Sequence, residues 1–202
     1  MSPLACRLYL LFTPELCSND PWTTLAKALE GGVDAVQWRS MREDREGFQR
    51  CREQCRDAGV PLIVNNDVML AVRSRAAGAH VGQGDMPADA ARRILGTAWL
   101  GVSTHDTAQV AAAAKAGADY IGFGPCHPTT TKGYETGKSV AEIEAAVAEA
   151  ALRHLPLFAI GGITAQNLPA LRARGVDRIA VSGAILKSED TLAATRALRR
   201  WL

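Results

Sequence analysis

Short apolar runs return along the chain at a near-regular interval: Arg7–Phe12, Ala35–Trp38, Leu62–Val64, Ala79–Val81, Leu100–Val102, Tyr120–Phe123, Leu157–Ile160 and Arg178–Val181. Each is a few residues long and mostly continuous, the pattern of strands buried on both faces of a parallel sheet. Segments rich in alanine, arginine and glutamate separate them. These predict helices, most clearly over Thr107–Ala116, Val140–Leu152, Ala165–Arg174 and Leu192–Arg200. The punctuation repeats as well, with AGV at Ala58–Val60, AGA at Ala77–Ala79 and Ala116–Ala118, and RGV at Arg174–Val176. A glycine at each can take the left-handed conformation that stops a helix before the next strand. Eight strands alternating with eight helical segments predict an α/β fold, a compact TIM (β/α)8 barrel filling residues 1–202 as a single domain. A doubly wound open sheet is the weaker alternative, because no early GxGxxG turn is present and the last two strand ends both look like anion sites.

In a barrel, functional groups collect where the strands end at their C-terminal side. The polar ends here are Gln37 and Arg39; Asn65, Asn66 and Asp67; Gln83 and Asp85; Ser103, Thr104 and His105; Thr129, Thr131 and Lys132; Gly161 and Gly162; and Ser182 and Gly183. The opposite rim carries mainly the AGA-type turns. Arg39 can grip an anion with a planar fork, and Lys132, following PTTT, can offset charge without one fixed geometry. Thr129 and Thr131 can donate hydroxyl hydrogen bonds to a ligand or cap the loop. Gly161 and Gly162 can turn bare amides toward a phosphate, aided by a helix expected to begin near Thr164, and Gly183 can complete the grip. Tight turns alone are the competing use of these glycines.

Asp85 is the best magnesium ligand, since carboxylate oxygen suits a hard cation that often bridges protein to phosphates. Asp67 either joins it or caps a helix starting at Val68. Asn65 and Asn66 can orient a heterocycle or a metal-bound water. His105 can transfer a proton or hydrogen-bond its own loop, and Trp38 can stack on a ring or pack the core.

Composition narrows the classes. With 23 basic and 21 acidic side chains the formal net charge is +2, too balanced to argue for nucleic acid as a partner. Arg172, Arg174, Arg199 and Arg200, in or near helices, are expected to meet solvent. No apolar run approaches the ~18 residues of a membrane span. The N-terminus has Arg7 as its only early basic residue and no clear small-residue cleavage site, so no secretory signal and a cytoplasmic location are expected. The five cysteines show no paired zinc spacing. Cys51 and Cys55 sit one helical turn apart and read as small buried hydrophobes. Cys126 lies in a candidate loop without an evident base to activate it. Barrel enzymes often self-associate, so a homo-oligomer is open.

Seven strings carry a resemblance that spans nearly the whole chain: VQWRSM (Val36–Met41), PLIVNNDV (Pro61–Val68), HVGQGD (His80–Asp85), LGVSTH (Leu100–His105), GPCHPTTTK (Gly124–Lys132), AIGGI (Ala159–Ile163) and AVSGAI (Ala180–Ile185). In this order, one per strand, the chain resembles the thiamine-phosphate synthase family. The GP…PTTTK and GQGD strings are specific together, whereas glycine-rich barrel endings alone are not. That resemblance implies a transferase joining hydroxymethylpyrimidine pyrophosphate to a thiazole phosphate, with Mg2+ as cofactor and pyrophosphate released. It implies Gln37 at the pyrimidine or pyrophosphate site, Arg39 on pyrophosphate, Asp85 on magnesium and Ser103 beside the pyrimidine. Thr129, Thr131 and Lys132 would serve thiazole phosphate and pyrophosphate, and Gly162 with Ser182–Gly183 would cradle the thiazole phosphate. Arg39, Lys132 and Ser103 would carry the catalysis.

Two departures stand out. The family pattern continues the Gln–x–Arg segment as Glu–Lys, where this chain has Ser40–Met41. The strand-three pattern is Asn followed by a magnesium-binding Asp, where this chain has Asn65 and Asn66 before Asp67. Both weaken the pyrophosphate half and keep two alternatives: a thiazole tautomerase using His105 or His127 as proton carrier, or a noncatalytic homologue that binds a phosphorylated ligand.

Overall fold

The computed structural model describes residues 3–128 and 135–202. Its strands are β1 (Leu8–Phe12), β2 (Ala35–Trp38), β3 (Leu62–Asn65), β4 (Gly78–Val81), β5 (Trp99–Thr104), β6 (Tyr120–Phe123), β7 (Leu157–Ile160) and β8 (Ile179–Val181). Each pairs in parallel with the next, and β1 pairs with β8, so the sheet closes into an eight-stranded barrel. Among the described residues the helices are α1 (Pro21–Glu30), α2 (Arg45–Asp57), α3 (Val68–Ser74), α4 (Ala88–Leu95), α5 (Thr107–Lys115), α6 (Val140–Leu152), α7 (Leu168–Arg172), α8 (Gly183–Leu186) and α9 (Thr191–Arg199). The α/β TIM barrel read from the apolar rhythm is the fold.

Two apolar layers hold it. Outward-facing residues of the strands, such as Leu8, Leu10, Phe12, Val36 and Val64, pack against buried residues of the helices, including Leu25, Phe48, Val68 and Val110. Inward-facing residues form a separate plug of Tyr9, Leu11, Ala35, Ile63, Tyr120, Phe158 and Ala180. Full burial of each large apolar side chain contributes roughly 1.5–3 kcal/mol. Within the plug, Tyr9, Tyr120 and Phe158 meet edge to face, with ring centroids 5.4–5.8 Å apart, an arrangement that brings ring edges against neighbouring π faces.

Helix entries follow local chemistry. Asp20, Asp44, Asp67, Asp106 and Asp190 each accept a backbone amide of the helix that follows, and Ser139 forms a reciprocal capping box with Glu142. Gly59, Gly117 and Gly175 take the left-handed conformation expected of them, with φ of 67°, 82° and 83°. Gly78 does not. Arg75 ends α3 in the left-handed region instead (φ 54°), and Gly78 is the first residue of β4. It is needed there for space, because a Cβ would stand 2.0 Å from the carbonyl oxygen of Trp99.

Two other expectations are corrected. The helix foreseen over Ala165–Arg174 starts at Leu168, because side chains of Thr164 and Asn167 take up the amides of the preceding turn. Two helices, not one, follow β8. The arginines expected to meet solvent do so, Arg174 and Arg200 being exposed and Arg172 and Arg199 half-buried, and three of them also pair: Arg172 with Asp177, Arg174 with Glu144 and Arg199 with Asp34.

Candidate active site

The C-terminal ends of the strands surround a pocket of about 380 Å³. Arg39, Ser103, Gly162, Ser182 and Gly183, nominated from four separate strand ends, all line it, together with His105, Gly161 and Thr164. Arg39 also borders a second hollow, of about 650 Å³, with Asn65 and Asp67 on its wall. Asn66 and Asp85 line neither hollow; Asn66 is exposed, with φ of 63°, and Asp85 is half-buried. Thr129, Thr131 and Lys132 lie outside the described residues.

One side of the pocket is cationic. Burial depresses the pKa of the Arg39 guanidinium, and among the described residues no carboxylate pairs with it. Its Nε donates to Oε1 of Gln37 at 2.5 Å. That leaves both terminal nitrogens of the fork for an anion. Gln37 itself is fully buried, and its Nε2 donates to the Tyr9 hydroxyl at 2.9 Å. With both ends of the amide engaged, Gln37 holds Arg39 from below.

The ends of β7 and β8 offer backbone. Gly161 and Gly162 have φ of 98° and 61°, and a Cβ on Gly162 would stand 2.4 Å from the carbonyl oxygen of Pro128. The loop after β6 therefore lies directly over the end of β7. Ser182 caps α8 by position, but its buried Oγ has no hydrogen-bond partner among the described residues. The first amides of such a helical turn have no carbonyl within it. An orphaned hydroxyl beside open amides suits a tetrahedral anion. The helix contributing these amides is α8 after β8, not the one foreseen near Thr164.

Sequence reasoning missed Lys187 and assigned no role to His80. Lys187 lines the pocket from the end of α8, and its aliphatic stem lies over Gly183. The second hollow adds Arg42 and Arg73 beside Arg39. Met41, where the family pattern has lysine, is 71% exposed, and its amide hydrogen-bonds Glu15.

The acidic residues leave room for a cation. Asp85 Oδ2 accepts the Gly82 amide at 2.7 Å and Asp67 Oδ1 accepts the Leu70 amide at 2.8 Å. Asp67 thus caps α3, one of its two foreseen uses. Among the described residues the second oxygen of each carboxylate has no partner. Such a sparse donor set fits magnesium, which keeps several waters and binds through one or two carboxylates plus substrate phosphates. No group of three or more His, Cys, Asp or Glu gathers among the described residues, so the set does not resemble an all-protein cage.

Four further residues resolve differently. His105 Nδ1 lies 2.6 Å from the Gly124 carbonyl, so this nitrogen donates to the loop. His127 has a depressed pKa through burial, and its Nε2 has no partner among the described residues. Cys126 is buried and its thiol is pushed up to about 12 by desolvation, which keeps it protonated. Trp38 packs between Phe12 and Phe48 in the core.

The family model described as thiamine monophosphate synthase matches residues 8–185. A thiamine-phosphate synthase of Bacillus velezensis is 39% identical over 197 residues, covering 94% of this chain and 87% of that protein. One from Synechococcus sp. (strain CC9605) is 41% identical over 203 residues, covering 98% of this chain but 56% of the relative, so this chain spans about half of that longer protein. The solved thiamine phosphate pyrophosphorylase of Pyrococcus furiosus is 30% identical with a TM-score of 0.86, covering 97% of this chain and 95% of that one. A 3-hexulose-6-phosphate synthase structure, at 16% identity and a TM-score of 0.70 over 97% of this chain and 99% of its own, shares the fold alone. With a family match across most of its length and relatives near 40% identity, the chain belongs to the thiamine monophosphate synthase family.

Proposed function

We propose that this protein is a transferase that condenses hydroxymethylpyrimidine pyrophosphate with a thiazole phosphate to give thiamine phosphate and pyrophosphate. The observation that carries the reading is a pocket with two unlike parts to its lining: a half-buried guanidinium that no carboxylate pairs with among the described residues, and an amide-and-hydroxyl cradle at Gly162, Ser182 and Gly183. Two differently phosphorylated substrates need two such parts. Family membership supports the same reaction.

In this mechanism the bond between the pyrimidine methylene carbon and the pyrophosphate oxygen breaks, and its electron pair leaves with pyrophosphate. The electron-rich aminopyrimidine ring stabilises the methylene cation, which the thiazole nitrogen captures through its lone pair. Arg39 and Lys132 counter the negative charge that grows on the leaving oxygen. Ser103 positions the pyrimidine. The cradle fixes the thiazole phosphate, so that the nitrogen and carbon meet as one oriented pair. Asp85 and Asp67 would hold a magnesium ion, which supplies charge neutralisation for the departing pyrophosphate. No protein nucleophile is required, in keeping with the protonated Cys126. No helix is long and apolar enough to cross a membrane among the described residues, and we place the enzyme in the cytoplasm with other small-molecule biosynthesis.

A coupled assay with both substrates and magnesium tests the proposal. Thiamine phosphate is expected, and its formation should collapse in Lys132→Ala and Asp85→Ala. Conversion of a thiazole carboxylate phosphate tautomer with no condensation, or tight ligand binding with no turnover, would overturn it.

A further inference from the structure

Beneath the pocket, a string of polar side chains crosses the barrel interior. It runs from Arg39 Nε to Gln37 Oε1 (2.5 Å), from Gln37 Nε2 to the Tyr9 hydroxyl (2.9 Å), and on to the Tyr120 hydroxyl (2.9 Å). It continues to His80 Nδ1 (3.2 Å) and ends with His80 Nε2 at Ser103 Oγ (2.9 Å). The string thus joins Arg39 to Ser103, two residues that line the pocket from different strands.

Its direction is fixed at one end. Arg39 can only donate, so Gln37 must present oxygen to it and NH2 to Tyr9. Tyr9 accepts from Gln37, and the one acceptor the described residues offer its own proton is Tyr120. Tyr120 then donates to His80 Nδ1. Reversing only the last link would give Tyr120 two donors and leave its own proton buried without an acceptor, and reversing both would leave the Tyr9 proton so, an arrangement that costs about 1–3 kcal/mol. Burial pushes both phenol pKa values well above their ordinary range, so both tyrosines keep their protons.

We infer that His80 and Tyr120 are positioning residues of this enzyme, holding His80 as the neutral Nε2–H tautomer so that Ser103 accepts from it and turns its own proton into the pocket. Ser103 then recognises a hydrogen-bond acceptor on the substrate, a lone pair on a ring nitrogen or a phosphate oxygen, and disfavours a donor. The inference deepens the proposed function and rests on the reading of Ser103 as a substrate contact.

The space around the string is purpose-built. A Cβ on Gly101 would stand 2.2 Å from Tyr120 Cζ and 2.4 Å from His80 Nδ1, and one on Gly122 would stand 3.4 Å from His80 Cε1. Larger residues at 101 would break the Tyr120–His80 link. Packing alone would have been served by an apolar residue at 80, whose neighbours Ala79 and Val81 are buried apolar side chains.

The test uses ligand-free, 15N-histidine-labelled protein at about pH 8, where an ordinary imidazole is neutral. The His80 signal is assigned by its loss in His80→Gln. The expected result is the Nε2–H tautomer in the wild type, moving toward Nδ1–H or a mixture in Tyr120→Phe. A wild-type His80 that is Nδ1–H or cationic overturns the inference, whatever the variants do. In the condensation assay, Tyr120→Phe should lower kcat about tenfold, and Ser103→Ala should cost much less in that background than in the wild type. Independent, multiplicative losses would also overturn it. The two readings fail separately: an incorrect reaction leaves the tautomer intact without turnover, and an incorrect relay leaves turnover with the wrong tautomer or no coupling.

Discussion

Arg39 and Gln37, two residues apart on one strand end, form a donor–acceptor pair in which the amide oxygen takes only the guanidinium Nε. The outer edge of the fork is thereby aimed and left open. Lysine at this position would have to serve the amide and a diphosphate from one nitrogen, without the planar fork. Arg39→Lys should lower kcat/KM for the pyrimidine pyrophosphate about 100-fold while changing affinity for the thiazole phosphate little. Steady-state kinetics with each substrate varied in turn would show this, and an equal loss for both would contradict the division of the pocket.

Gly162 combines a backbone conformation that L residues avoid with a contact that leaves no room for Cβ. Alanine there must either shift the loop at His127 and Pro128 or distort the end of β7, with strain on the order of 1–3 kcal/mol. Gly162→Ala should weaken thiazole phosphate binding about tenfold or more by calorimetry, because the cradle amides move with the backbone. Binding of pyrophosphate with magnesium at Arg39 should change far less.

How much of this was legible without the structure depends on what each signal reports. β2, β6, β7 and α6 have the bounds read from the apolar pattern, because a strand covered on both faces is apolar at nearly every position and a helix start is marked by its cap. Strand ends are legible for the same reason, which is how Arg39, Ser103, Gly162 and Gly183 were found together. The buried string was not. Tyr9, Tyr120 and His80 occupy inward positions of short strands whose outward neighbours are equally buried, so no alternation separates the two faces. A histidine inside an otherwise apolar strand was the available signal. Lys187 was hidden because α8 spans only Gly183–Leu186, too short to show a period.

The thiols should be chemically quiet. Cys126 is pushed up to about 12, and Cys6 and Cys17 to about 11, each chiefly by burial. At neutral pH, Cys126 should react with iodoacetamide far more slowly than a free thiol of ordinary pKa, and Cys126→Ala should keep most of the turnover. The sign for stability follows from linkage. A folded-state pKa above the unfolded value means the stabilising contribution is intact below the ordinary value of 9.0 and fades as pH rises toward about 12. Denaturant unfolding should therefore weaken steadily across that alkaline window, and Cys126→Ala should flatten part of the slope.

At the rim opposite the pocket, Arg92 of α4 ties two connections together, the α4–β5 and α5–β6 loops. It donates to the carbonyls of Gly96 and Ala98, each at 2.7 Å, and of Gly117 at 3.0 Å, and it pairs with Asp119. Asp119 in turn accepts the Leu100 amide at 2.7 Å, fixing the start of β5. The ion pair is partly open, with 23% and 38% of the two side chains exposed, so its Coulomb part is modest. The carbonyls matter more, since Arg92→Ala strips all three of the same donor. We expect about 2 kcal/mol of destabilisation for Arg92→Ala and about 1 kcal/mol or less for Asp119→Asn, which keeps an acceptor for Leu100. Catalysis at saturating substrate should be unchanged in both, because the rim lies at the far end of the barrel from the pocket. Equal destabilisation by the two variants in urea titrations would mean that charge, not backbone satisfaction, holds this end closed.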